Sequence, residues 1–91
     1  MRNNSIEKIY YSNYFLKFLA KVPPQTKDDF LKRESLFLKN PFHSTLKTHK
    51  LHGKYKDYYA FRINYQYRII FKFLNGGEVI FVNIGSHEIY K

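Results

Sequence analysis

The sequence predicts an α+β domain in the order β-α-α-β-β-β, a two-helix hairpin packed on an antiparallel sheet. Three observations carry this: apolar residues at helical spacing over 13–39, β-prone runs from Tyr58 onward, and an Asn75-Gly76-Gly77 turn between the last two runs. A chain of 91 residues has room for one core, so residues 1–91 are expected to form a single domain. Nine Phe and nine Tyr supply the large buried area per residue that so small a core needs.

The elements follow in turn. Ile6 to Tyr11 reads as a short strand. Ser12 is placed to cap a helix with Phe15, Leu16, Phe18 and Leu19 on one face. Pro23-Pro24 ends it, because a residue before proline avoids the helical region and proline donates no hydrogen bond. A second helix starts near Pro24 or Gln25, runs through Phe30, Leu31, Glu34, Phe37 and Leu38, and stops at Asn40-Pro41. Residues 41–56 read as a loop rich in His and Lys, broken by Gly53. Strands are expected over Tyr58–Ile63, Tyr67–Phe73 and Glu78–Ile84, with Asn64-Tyr65-Gln66 turning between the first two.

Strand alternation divides the residues between two faces. Phe61, Ile63, Tyr67, Ile69 and Phe71 are assigned to the helices, and Arg62, Arg68, Ile70 and Lys72 to the open side. Ile70 breaks the polar pattern of that side.

The formal charge is +9, and it is concentrated. Between Lys39 and Lys72 eight Lys or Arg face a single acid, Asp57. Such a field attracts polyanions: nucleic acid first, then an acidic protein, then anionic lipid. No basic amphipathic helix with an exposed apolar face stands out, and no apolar run has transmembrane length. The start, Met1-Arg2-Asn3-Asn4-Ser5, lacks a signal-peptide core, so a soluble cytoplasmic protein without a membrane partner is expected. Without cysteine there is no disulfide or thiolate site. His43, His49 and His52 could in principle hold zinc, but their spacing implies no ligand geometry; no metal or cofactor is expected, and His43 and His52 are assigned to structure or solvent.

The last strand is followed at once by Gly85-Ser86-His87-Glu88-Ile89-Tyr90-Lys91. An imidazole titrates near neutrality and can accept or donate a proton. With Arg62 and Arg68 on the preceding strands, this tail points to an RNA-cleaving site. The bland alternatives are that Arg68 pairs with an acid across the sheet, such as Glu78, and that Tyr90 covers the sheet edge.

The layout resembles the RelE/ParE superfamily of bacterial and archaeal type II toxins over nearly the whole chain. The resemblance is carried by Lys50-Leu51-His52-Gly53, Tyr67-Arg68-Ile69-Ile70-Phe71 and Ile84-Gly85-Ser86-His87-Glu88-Ile89-Tyr90. The pattern is nearest the RelE and YafQ branches, which implies a ribosome-dependent mRNA endoribonuclease. It also implies a cognate antitoxin that wraps the toxin, ribosome and mRNA as partners, and a higher-order toxin–antitoxin complex. By position the resemblance gives Arg68 the scissile phosphate, with Arg62 beside it. It matches His49 and His87 to imidazoles of the YafQ-like branch and Tyr90 to the aromatic near the end. Lys47, Lys50, Lys54 and Lys56 fit a ribosomal-RNA contact patch, although a charge run is also what a solvated face looks like. Where the YafQ-like branch carries an acid near the second hairpin turn, this chain has Gln66. Two other readings stay open: a ParE-like toxin that poisons DNA gyrase without nuclease activity, and an inactive homologue that only holds its antitoxin.

Overall fold

The computed structural model describes residues 5–86. Its elements are β1 (Lys8–Tyr11), α1 (Asn13–Leu19), α2 (Pro24–Lys39), β2 (His49–Lys50), β3 (Tyr59–Arg62), β4 (Tyr67–Phe73) and β5 (Glu78–Ser86). They form one five-stranded sheet in the order β1-β5-β4-β3-β2, with the two helices on one side. The predicted α+β class and hairpin on a sheet are observed. Two details differ from expectation. β1 runs parallel to β5, so the sheet is mixed at that edge. The loop 41–56 contains a two-residue strand, β2, antiparallel to β3, and two 3-10 turns at Ser44–Leu46 and Gly53–Tyr55.

Local chemistry sets the boundaries. The Ser12 hydroxyl accepts the Phe15 N–H at 2.9 Å, capping α1, and donates to the Val82 carbonyl at 3.0 Å. One side chain thus starts the helix and ties it to β5. Pro24 opens α2, where a missing N–H costs nothing. Gly76 and Gly77 both take positive φ in the turn before β5, which a side chain would resist.

The core lies between helices and sheet. Phe15, Phe30, Phe37, Phe61, Ile63, Ile69, Phe71 and Phe81 are all buried there, as the alternation of β3 and β4 requires. Phe37 sits at the centre, stacked on Phe61 at 4.7 Å and edge-on to Phe71 and Phe81 at 4.9 and 5.3 Å. Of the apolar face assigned to α1, Phe15 alone is fully buried, and Leu16 is exposed. A seven-residue helix is too short to turn four large side chains into one core.

A second, smaller cluster explains Ile70. It joins Leu51, Ala60 and Ile70 on the opposite side of the sheet, with Tyr55, Tyr58 and Val82 packed against it. The Gly53–Tyr55 turn brings Tyr55 over that side, so the face expected to be open is partly roofed around Ile70.

Candidate functional site

Strand register arranges the open face in three rows, because directly paired residues point the same way. Tyr58 on β3's leading edge, Lys72 and Ile80 form the first. His49, Ala60, Ile70 and Asn83 form the second, and Arg62, Arg68 and Gly85 the third. The Ile63 N–H donates to the Tyr67 carbonyl at 3.1 Å. That makes Arg62 and Arg68 a non-hydrogen-bonded pair, the kind whose side chains approach most closely.

Two like charges directly opposite each other destabilise a sheet. Neither arginine has a carboxylate partner among the described residues. The alternative that Arg68 pairs with Glu78 fails on register: Arg68 lies opposite Gly85, whereas Glu78 begins β5 at its other end, beside Lys8. Instead the Arg68 Nη1 donates to the carbonyls of Asn64, Tyr65 and Tyr67 at 3.4, 3.2 and 3.4 Å. One corner of the guanidinium is anchored there, and its Nε and Nη2 have no hydrogen-bond partner among the described residues; that edge of a guanidinium is the one that matches an anion in fork geometry.

The turn that anchors Arg68 is itself held by α2. The Asn64 side chain donates to Asp29 Oδ2 at 3.0 Å and, at a longer 3.4 Å, to the buried Thr26 hydroxyl. Its own oxygen accepts the backbone N–H groups of Gln66 and Tyr67 at 3.0 and 2.8 Å. Hydrogen bonds from Asn64, then Gln25, hold the Asp29 carboxyl below its usual pKa. A depressed carboxylate contributes stability above its unfolded pKa, about 4, and loses it as pH falls through the folded value. Asn64→Ala is expected to destabilise by about 0.5–1.5 kcal/mol, since it removes the acceptor of two turn N–H groups, one exposed and one part-buried. Thermal melts between pH 3 and 7 check this: the difference from the native chain narrows at the acid end.

His49 shares the open face, in the neighbouring row and two strands from Arg68. By strand spacing and rise that is roughly 12 Å between backbones, within reach of two long side chains gripping one nucleotide. Its ring is exposed, and Nδ1 lies 3.0 Å from the Lys47 carbonyl. A carbonyl only accepts, so this hydrogen bond requires the tautomer with the proton on Nδ1. His49, Lys50, Leu51, His52 and Tyr55 line a depression of about 410 Å³. Lys47, Lys50, Lys54 and Lys56 are exposed along the β2 edge and the turn after it. His43 acts structurally: its Nδ1 accepts the Thr45 N–H at 3.1 Å. Among the described residues no three His or carboxylate side chains come together as a metal site. His87 and Tyr90 lie outside the described residues.

Tyr14, Tyr55, Tyr58 and Asn83 also reach this face, and none was singled out from the sequence. A signal for two of them was present: Lys54-Tyr55-Lys56-Asp57-Tyr58 interleaves cations with aromatics, as surfaces for single-stranded nucleic acid do. Among the described residues no helix is long and apolar enough to cross a membrane.

Known structures share this architecture. A chain of the archaeal RelE–RelB complex from Pyrococcus horikoshii OT3 aligns with a TM-score of 0.73 at 17% identity, covering 90% of this chain and 96% of that one. The YoeB/ParE toxin from Agrobacterium tumefaciens gives 0.71 at 15%, covering 88% and 98%. YafQ from E. coli gives 0.63 at 23%, covering 87% and 91%. At such identities the likeness is one of fold. No curated protein sequence matches the chain significantly. A family model does, over residues 36–87, which include His49, Arg62, Arg68 and His87: the RelE-like toxin HigB of type II toxin–antitoxin systems. Since that span exceeds half its length, the chain belongs to the HigB-like family of RelE-like toxins of type II toxin–antitoxin systems.

Proposed function

We propose that this toxin is a metal-independent endoribonuclease that cleaves mRNA on the ribosome. The observation that carries the reading is the arginine couple, Arg62 opposite Arg68, with no carboxylate partner among the described residues, on a face that also holds His49. Two adjacent guanidiniums without an acid cost stability until an anion lies between them.

RNA carries its own nucleophile. A base takes the 2′-OH proton, the oxygen attacks the adjacent phosphorus, and the 5′-oxygen leaves with a proton from an acid. The products are a 2′,3′-cyclic phosphate and a 5′-OH. Arg68, with Arg62, stabilises the charge that accumulates on the phosphate oxygens. His49 and His87 form the acid–base pair, and Tyr90 stacks on a base or hydrogen-bonds the phosphate. His87 follows Ser86, two positions after the Gly85 that faces Arg68. Lys47, Lys50, Lys54 and Lys56 contact ribosomal RNA through its phosphates.

A cognate antitoxin is the expected protein partner, as RelB is for RelE in the archaeal complex. An acidic, amphipathic antitoxin segment fits the apolar groove of Leu16, Leu19, Phe30 and Leu31, beside Lys27, and a chain of net charge +9 favours it.

Primer extension on cellular mRNA after induction tests the reading, with His49→Ala and His87→Ala as controls. Cuts clustered within translated frames are expected, each weakened about 10²-fold or more by either substitution. Intact mRNA accompanied by trapped DNA breaks would overturn the proposal in favour of gyrase poisoning.

A further inference from the structure

The second cleft on the open face lies on the far side of Tyr55 from the His49 depression. It encloses about 260 Å³ between Tyr14, Tyr55, Tyr58, Ile70, Val82 and Asn83. The geometry points to a nucleobase subsite here, taking the base of a nucleotide next to the cleaved phosphodiester, with the Asn83 amide reading the base edge. Its place on the RNA rests on the nuclease reading; its ability to bind a base does not.

Position is the first argument. Ile70 and Asn83 pair across β4 and β5, one row from the Arg68–Gly85 pair. Two residues along a strand is roughly 7 Å, the length of one nucleotide step. A phosphate at the arginines therefore brings a neighbouring base to this cleft. Lys72, whose ammonium lies 5.7 Å from the Tyr58 ring, supplies a further cation for the backbone on the other side.

The lining is the second argument. Three phenol rings surround a floor of Ile70 and Val82, and a single amide breaks the apolar wall. Tyr14 is 55% exposed, a large ring left in water beside an apolar cleft, and it offers a face on which a base can stack. Aromatic platforms accept every base, so discrimination falls to the polar group.

Asn83 is fixed for that task. Its Oδ1 accepts the Ile84 N–H at 2.8 Å, which orients the amide. Its Nδ2 has no hydrogen-bond partner among the described residues. The group presented is therefore chiefly a donor. It suits a base edge carrying a carbonyl, guanine O6 or uracil O4, and opposes the exocyclic amine that adenine and cytosine present at the same place.

The test titrates the full chain with GMP, UMP, AMP and CMP, and with ribose 5-phosphate as a base-free control, while NMR follows the Asn83 side-chain amide and, in every variant, the backbone amides of positions 70, 82 and 83 that line the cleft. GMP and UMP are expected to shift that amide saturably and several-fold more tightly than AMP and CMP. Tyr14→Ala weakens all four about tenfold. Asn83→Asp, which turns the donor into an acceptor, reverses the order of the bases. Equal shifts with ribose 5-phosphate, no shift at Asn83, or an unchanged order in Asn83→Asp would each overturn the subsite. Because binding is read without cleavage, an inactive chain that still discriminates bases sinks the nuclease reading alone. An active nuclease indifferent to Asn83→Asp sinks the subsite alone.

Discussion

Arg68→Ala is expected to lower mRNA cleavage by about 10²–10³-fold, the usual consequence of removing one donor aimed at transition-state charge. Stability should barely change, because two opposing effects are of similar size. The substitution removes three hydrogen bonds from Nη1 to turn carbonyls, all long and at a half-exposed group. It also relieves the repulsion between guanidiniums paired directly across β3 and β4, worth up to about 1 kcal/mol. Arg68→Lys separates charge from geometry: an ammonium keeps the charge but loses the fork, so activity should fall between the two. Primer extension on translated mRNA, beside a urea melt of each variant, gives both readouts. Full cleavage by Arg68→Ala would remove the phosphate clamp, and a large loss of stability would make the residue structural.

Phe37→Ala acts in the opposite way, through the fold. The ring is completely buried and touches three other buried phenylalanines. Truncating such a ring costs about 3–5 kcal/mol in transfer and cavity terms. A domain of this size is stable by only about 5–15 kcal/mol, and each kcal/mol moves its melting temperature by about 4–8 °C. A fall of roughly 12–40 °C is therefore expected. Phe37→Leu keeps much of the volume and should cost under about 1.5 kcal/mol. Circular dichroism melts of the two variants decide the matter; equal, small losses would mean that the helix–sheet interface is far looser than its ring geometry implies.

What could be read from the sequence was what local periodicity controls. The alternation of Phe61, Ile63, Ile69 and Phe71 against Arg62, Arg68 and Lys72 placed both arginines on one face, and the Asn75-Gly76-Gly77 turn supplied the last hairpin. Ser12 announced itself as a cap, but nothing local told that its hydroxyl would also reach Val82. Strand partners chosen from far along the chain were invisible. The parallel pairing of β1 with β5 and the two-residue β2 depend on where the rest of the sheet comes to rest. The same holds for Ile70: its burial needs Tyr55 to fold back from the Gly53–Tyr55 turn. At the site, arginines were legible because charged residues within a β pattern stand out. Asn64, Asn83 and the tyrosines were not, since each takes its meaning from a neighbour on another element. The expectations for His87 and Tyr90 fall outside the described residues.

The edge pairing of Lys8 with Glu78 bears on how the molecule is born. A polypeptide is made from its first residue to its last, and β5 occupies the place between β1 and β4. Until residues 78–86 have left the exit tunnel, the opening strand has no hydrogen-bonding neighbour and the central gap of the sheet stays empty. Closure over so long a stretch of chain is entropically slow, so the Arg62–Arg68 pair gains β5 as its neighbour only after residues 78–86 have emerged and folded back between β1 and β4.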